Sequence, residues 1–253
     1  MEEQISVSWR DPSTTVSRMS VSSFGRMMLR RGVLGRRALR RLRRHTAERL
    51  GSARYSRAGL YELDRKLEFY LGEGGFFVEA GANDGFRQSN TYYLERFRGW
   101  RGILVEPIPA LAKHCGRERR RSTVYQCALV ADEQATPKVD MRYADLLSET
   151  HATGRDLPTW PKWDETYDLT VPARTLASIL AEVGAPRVDF LSLDVQGFEP
   201  AVLAGLDLPR FMPTFMLLEL DDGDARRRVE EVIGSRYSLE AWLTHHDALY
   251  QCG

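Results

Sequence analysis

Apolar positions change their spacing several times along the chain, and each change marks an element. Residues 1–25 hold Ser, Thr and Val without a period and predict no regular structure. From Arg26 to His45, Met28, Leu29, Val33, Leu34, Leu39 and Leu42 recur at helical spacing between arginines. That pattern predicts a basic amphipathic helix, broken near Gly32 and Gly35. Gly59–Leu71 repeats the helical period. Short apolar runs then alternate with helical segments. Strands are predicted at Phe76–Ala80, at Gly102–Glu106 (ended by Pro107) and at Thr123–Val130, with helices over Ser89–Arg98 and Ala110–Arg119. After a gap come a helix from Thr175 to Val183, a fully buried strand of the parallel type at Val188–Asp194, and a helix at Glu199–Gly205. A strand at Phe215–Glu219, a helix at Asp224–Ile233 and a closing pair near 237–243 and 248–252 complete the series. Alternation of this kind predicts an α/β fold with a doubly wound, mainly parallel sheet. Residues 131–170 break the alternation. They lack a helical period, contain Pro137, Pro158, Pro161, Trp160 and Trp163, and are too long for a plain connection. They read as a functional insertion or lid in a domain spanning 51–253, preceded by an arm at 1–50.

Charge separates these two parts. The formal net charge is +1 over 253 residues, yet residues 26–44 carry nine arginines and no acid, while residues 45–253 hold 25 bases against 32 acids. The body is mildly acidic and the arm strongly basic. Four readings of the arm stay open: a helix docked on its own domain or on a homodimer partner, a peripheral membrane contact through residues 26–44, nucleic acid, which is not expected because the body offers no matching basic face, and an Arg- and Ser-rich mitochondrial transit peptide, against which the acidic start counts. No candidate site residue precedes Glu79, so the arm is expected to be separable from the site. At 43% hydrophobic the chain can build a large core, and no stretch approaches the roughly 18 apolar residues of a membrane span. Cys115, Cys127 and Cys252 form no Cys-x-x-Cys pair, and Met1-Glu-Glu opens without an apolar segment behind it. Both features favour a reducing, cytoplasmic setting over secretion.

In doubly wound sheets ligands bind beyond the carboxyl ends of the strands. Four such ends carry acids here: Glu79, opening Glu79-Ala-Gly81-Ala-Asn-Asp-Gly85, then Glu106, Asp194 and Glu219. Glu106 lies 21 residues past Gly85, a spacing at which a carboxylate can accept both ribose hydroxyls of an adenosine. A dinucleotide would need Gly-x-Gly-x-x-Gly for its pyrophosphate, which this loop lacks, and Glu79 and Asp84 would repel the phosphates. The same acids suit S-adenosylmethionine, with its sulfonium and ammonium.

Over roughly residues 60–253 the chain resembles the FkbM family of S-adenosylmethionine-dependent methyltransferases. The segments that carry the resemblance are Phe76-FVEAGANDGFRQSNTYYLE-Glu95, Trp100-RGILVEP-Pro107, Gln126-CALV-Val130, Thr175-LASIL, Phe190-LSLDVQGFEPAVLAG-Gly205 and Phe215-MLLEL-Leu220. The resemblance implies a class I, Rossmann-like fold with a seven-stranded sheet and O-methylation of a hydroxyl on a sugar, glycolipid or small metabolite. It implies that Glu79, Gly81, Ala82, Asn83, Asp84 and Gly85 surround the cofactor's amino acid moiety, with Ser89 and Asn90 reaching its carboxylate and Cys127 and Ala128 near the adenine. Turn capping is the competing role for Glu79 and Asp84, and core packing for Cys127. Where the family often shows Asp-Val-Glu-Gly, this chain has Asp194-Val-Gln196-Gly.

Methyl transfer to a hydroxyl needs a base or a metal to take the proton. Asp194 is the first candidate, with Glu219 on the neighbouring strand; together they could hold Mg²⁺. Asp221 and Asp222 read rather as N-caps of the next helix. Histidine is the other candidate base: His245 and His246 between the last two strands, and His151 in the insertion. The run Thr159-WPKWDETYD-Asp168 could stack on a sugar ring or form a dimer contact. The expected function is O-methylation of a sugar or glycoconjugate. A polyketide or other small metabolite is the alternative acceptor, and a non-catalytic S-adenosylmethionine-binding module anchored by the arm is the alternative class.

Overall fold

The computed structural model describes residues 23–143, 149–150, 167–185, 187–220 and 222–253, with the side chains of the first helix described from Gly35 on, Arg37 excepted. The expectations for residues 1–22, His151, Asp221 and residues 159–166 of the Thr159–Asp168 run lie outside these residues. In chain order the elements are α1 (Ser23–Arg49), α2 (Leu63–Lys66), β1 (Phe76–Ala80), α3 (Tyr92–Phe97), β2 (Arg101–Val105), α4 (Pro109–Glu118), β3 (Thr123–Tyr125) and β4 (Ala128–Leu129). They continue with β5 (Lys138–Tyr143), β6 (Glu149–Thr150), β7 (Tyr167–Arg174), α5 (Leu176–Glu182), β8 (Phe190–Leu193), α6 (Glu199–Ala204), α7 (Leu208–Phe211), β9 (Phe215–Glu219), α8 (Gly223–Ile233), β10 (Tyr237–Trp242) and β11 (Asp247–Cys252).

The main sheet has seven strands in the order β10-β11-β9-β8-β1-β2-β3. Strands β3, β2, β1, β8 and β9 run parallel, and β11 is antiparallel to both of its neighbours. The chain starts at the centre with β1, winds out to β3, then returns to β8, so the switch point falls between β1 and β8. The side chains explain why the sheet is covered on both faces. Val78, Ala80, Ile103, Val105, Leu191, Leu193, Met216 and Leu218 pack on one side with α5, α6 and α8. The alternate positions Phe77, Leu104, Phe190 and Leu217 pack on the other with Leu63, Leu67, Leu94, Trp100 and Cys115. Strands buried on both faces are the near-continuous apolar runs that the sequence displays. Helix α5 is capped by Thr175, whose hydroxyl accepts from the Ser178 N–H, and α8 by Asp222, which accepts from the Ala225 N–H at 2.7 Å.

Four elements depart from expectation. Helix α1 is unbroken through Gly32 and Gly35; an interior glycine costs only about 1 kcal/mol, and the surrounding Arg, Leu and Ala are strong helix formers. Residues 59–71 form only short helical pieces, because Tyr61 and Glu62 take left-handed backbone (φ 50° and 60°) while Leu63, Leu67 and Leu71 are drawn into the core. The strand expected over Thr123–Val130 splits at Gln126, whose side-chain amide donates to the Pro107 carbonyl at 3.0 Å. Its first part stays in the main sheet and its second, β4, joins a small sheet of order β4-β7-β5-β6. The insertion therefore contains strands, and Met141, Val171 and Ala128 give their sheet an apolar inner face.

The foot of α1 is bolted to the body. Arg44 and Glu48 are buried, at 5% and 7% exposure. Arg44 pairs with Glu118 and its guanidinium lies 3.4 Å from the Phe86 ring centroid. Glu48 accepts from the Ser56 hydroxyl at 2.7 Å and the Tyr92 hydroxyl at 2.8 Å, and pairs with Arg96. Those bonds hold the Glu48 carboxyl below its ordinary range despite burial. The arm is thus not separable at its base. A chain starting near residue 50 strips Glu118 of Arg41, Arg44 and His45, Arg96 of Glu48, and the Tyr92 and Ser56 hydroxyls of the Glu48 carboxylate, a loss on the order of 3 kcal/mol. It is expected to melt roughly 5–10 °C below the full chain, whereas one starting at Gly35 melts with it. Thermal denaturation followed by circular dichroism checks this, and equal melting of all three chains would contradict it.

Candidate active site

The carboxyl ends of β1, β2 and β8 open onto a cleft of about 980 Å³, mouth included. Gly81 follows β1 with φ +82°, and a Cβ there would collide with the Asp194 carbonyl oxygen. Only glycine lets the chain turn that close to the end of β8. The turn that follows is held by Asp84, which accepts from the N–H groups of Phe86 and Arg87 at 3.0 and 2.8 Å. That is the capping role set against ligand binding for Asp84. Ala82, Asp84, Gly85 and Ser89 do not line the cleft, whereas Glu79, Gly81, Asn83, Asn90, Glu106, Cys127, Ala128 and Asp194 do.

Glu79 faces the cleft wall with its oxygens already used. It accepts from the hydroxyls of Ser89 (2.9 Å) and Thr91 (2.6 Å) and from the Asn90 N–H (2.8 Å), and it pairs with Arg119 (3.2 Å). Arg119 is 1% exposed and donates also to Glu95, the Gly85 carbonyl, Ser89 and Thr91. This explains why α3 starts at Tyr92 rather than at Ser89: the three preceding residues are spent on Glu79. Arg119 was invisible as a functional position, since Arg117-Glu-Arg-Arg-Arg121 reads as a solvated run. Asn90, tied to Ser192 through its side-chain N–H at 3.2 Å, leaves its Oδ1 buried without a partner. A buried acceptor of this kind costs stability unless something donates to it.

Glu106, 5% exposed, directly follows β2. Its oxygens accept from the N–H groups of Asn83 (2.8 Å) and Ile108 (2.9 Å). Burial pushes its carboxyl up to about 7, with smaller contributions from Asp194 and Asp84, against the pull of those two N–H bonds. Leu111, Leu129 and Met141 supply an apolar wall, so the insertion reaches the cleft through Met141. Nothing in the sequence of the insertion singles out that residue.

On the opposite side stands Asp194, solvent-accessible at the end of β8. The Gln196 amide donates to Asp194 Oδ1 at 2.9 Å and to Glu219 Oε2 at 3.1 Å. The departure from Asp-Val-Glu-Gly thereby gains a reason: a glutamate at 196 would set a third carboxylate between these two. The pair expected to hold Mg²⁺ is instead joined through an N–H donor. Among the described residues no three His, Cys, Asp or Glu side chains gather into a group that could hold a metal. Glu199 fixes this loop by accepting from the Val195 and Gly197 N–H groups, and burial pushes its carboxyl up to about 7. His245 and His246 are exposed in the turn between β10 and β11 and do not line the cleft.

Residues 79–250 match the methyltransferase FkbM domain. The chain belongs to the FkbM methyltransferase family. A curated relative, "Methyltransferase 1" from Beauveria bassiana, is 29% identical over 151 residues, covering 53% of this chain and 59% of that protein. The FkbM chain thus spans less than two thirds of that relative's length. Among solved structures, a TehB-like SAM-dependent methyltransferase from Corynebacterium glutamicum is similar at 12% identity, covering 84% of this chain and 96% of that one, with a TM-score of 0.41. An O-methyltransferase from Bacillus cereus in complex with SAH is similar at 14% identity, covering 74% and 76%, with a TM-score of 0.40.

The residues of the FkbM cleft fit S-adenosylmethionine. The orphaned Asn90 Oδ1 is an acceptor for an ammonium, Glu106 keeps lone pairs for a ribose diol, and the Leu111–Leu129–Met141 wall suits a flat base. Glu79, fully engaged, shapes the turn rather than offering a free carboxylate. No described helix is long and apolar enough to cross a membrane.

Proposed function

We propose that the chain is an S-adenosylmethionine-dependent O-methyltransferase acting on a hydroxyl of a sugar or glycoconjugate. The observation that carries the reading is that Asp194, at the end of β8, lines the same cleft as Asn90 and as Glu106, which follows β2 on the far side of β1. When bound, S-adenosylmethionine supplies an electrophilic methyl on a sulfonium. Glu106 and Asn90 would hold the ribose and ammonium ends, and Met141, Leu111 and Leu129 would exclude water from the base. Asp194 accepts a hydrogen bond from the acceptor hydroxyl and takes its proton as the oxygen attacks. Gln196 orients Asp194 by donating to it, and Glu219 anchors Gln196 in turn. A sugar suits the polar side of the cleft, where Arg87, Gln88, Asp194 and Gln196 supply donors and acceptors for several hydroxyls. Mg²⁺ has no part in this reading.

Calorimetry with S-adenosylmethionine tests the cofactor directly, and absence of binding would leave only the non-catalytic fold. Asp194→Asn is expected to lower transfer of labelled methyl to a panel of glycosides and glycolipids by about 100-fold or more, the usual contribution of a positioned base. Cofactor affinity should change less than about threefold, because the proposed partner of Asp194 is the acceptor. A fully active Asn variant would remove Asp194 from the proton transfer.

A further inference from the structure

Helix α1 is attached by its polar side, and Leu39 and Leu42 face solvent. At about 100° per residue, Leu39, Leu42, Thr46 and Leu50 fall within one third of the helix circumference, with Arg44 and Glu48 on the opposite side. The exposures agree: Leu39 is 59%, Leu42 63% and Leu50 81% exposed, while Arg44 and Glu48 are buried in the foot. An amphipathic helix that packs on its own domain does the reverse. Arg36, Arg40 and Arg43 border the leucine stripe on one side and Arg49 on the other, all exposed. No acid lies among residues 26–44, and the one acid in the final turns, Glu48, is turned inward.

We propose that this outward face of α1 is a docking surface for an anionic lipid bilayer. The charge pattern selects the occupant. Two copies of the helix laid face to face would bring the arginine borders together with no acid between them, so self-association is opposed by like charge. Nucleic acid would pair with the arginines but leave the central leucines stranded against phosphate. A bilayer with anionic headgroups satisfies both: leucines enter the acyl boundary while the arginine stems lie along it and their guanidiniums reach the phosphates. The foot then fixes the orientation, because Glu48 and Arg44 hold the helix against Tyr92 and Phe86 at the edge of the turn that shapes the cleft. The cleft would be carried at a constant height above the surface. This inference does not depend on the reaction proposed above.

Sedimentation of the full chain with phosphatidylcholine vesicles, with and without phosphatidylserine, tests it. Binding to the phosphatidylserine vesicles at low salt is expected to be at least about tenfold tighter than to phosphatidylcholine alone, and to weaken as salt screens the arginines. Leu39→Gln combined with Leu42→Gln, and separately Arg36→Gln combined with Arg40→Gln, should each weaken it by about tenfold. Both pairs leave Arg44 and Glu48 in place, so their melting temperatures should match the parent. Equal binding to neutral vesicles, or a leucine pair that binds like the parent, would overturn the proposal. So would concentration-dependent dimerisation in the ultracentrifuge that the leucine pair abolishes, or duplex DNA or RNA binding that it leaves intact with no vesicle binding.

Discussion

Replacing Arg119 by Ala is expected to cost about 3–5 kcal/mol of stability, the usual penalty for removing one partner of a buried, hydrogen-bonded charge cluster. Arg119 joins Glu79 on β1 to Glu95 on α3, and its remaining N–H groups hold the Gly85 carbonyl and the Ser89 and Thr91 hydroxyls. Without it, two buried carboxylates lose their cation and the turn after β1 loses its tie to α4. Arg119→Lys keeps the charge but offers a compact ammonium in place of a planar fork, so it should recover only part of the loss. The stability deficit and the loss of S-adenosylmethionine binding should appear together, because the same guanidinium sets the Gly81–Asn90 segment that shapes the cleft. Urea denaturation of both variants measures the first, and calorimetry the second. An Ala variant within about 1 kcal/mol of the parent would show that Glu79 and Glu95 find other partners.

That cluster marks the limit of what the residue pattern discloses. The strands β1, β2, β8 and β9 are short, mostly apolar runs, so their order of appearance and burial are written in the runs themselves, and Glu106 and Asp194 stand out as the first polar residues after β2 and β8. The family resemblance places the same residues at the cleft. What the pattern conceals depends on contacts between distant segments. Arg119 looks like its four charged neighbours until Glu79 and Glu95, 40 and 24 residues away, are brought against it. Docking on its own domain is one of the open readings of the arm, but nothing in the pattern singles out Glu48, whose carboxylate accepts from Tyr92. Residues 60–69 carry a helical period because leucines at that spacing meet the core, although left-handed backbone at Tyr61 and Glu62 interrupts the helix. Met141 reaches the cleft only because β5 folds back on β7.

Glu106→Ala is expected to weaken S-adenosylmethionine binding by at least tenfold and more nearly a hundredfold, since charge-assisted hydrogen bonds of about 1.5–3 kcal/mol each are lost. The pH dependence provides a sharper check. Burial holds the Glu106 carboxyl at about 7, above its ordinary 4.5, so the folded protein binds this proton more tightly than the unfolded chain does. Stability from this group is therefore fully present below pH 4.5 and falls, by roughly 3 kcal/mol in all, as pH rises to about 7. Glu199, pushed up likewise, contributes in the same direction and window. Cofactor binding runs the other way, because a ribose diol donates to the ionised carboxylate and not to the protonated acid. Affinity should rise several-fold between about pH 6 and 7.5, at most tenfold per pH unit. Glu106→Gln removes the titration while keeping the shape: its affinity should be uniformly weak and flat across that range, and its stability should decline less with pH than the parent's. A Gln variant whose affinity still climbs with pH would assign the titration to Glu199 or another group and move the ribose away from Glu106.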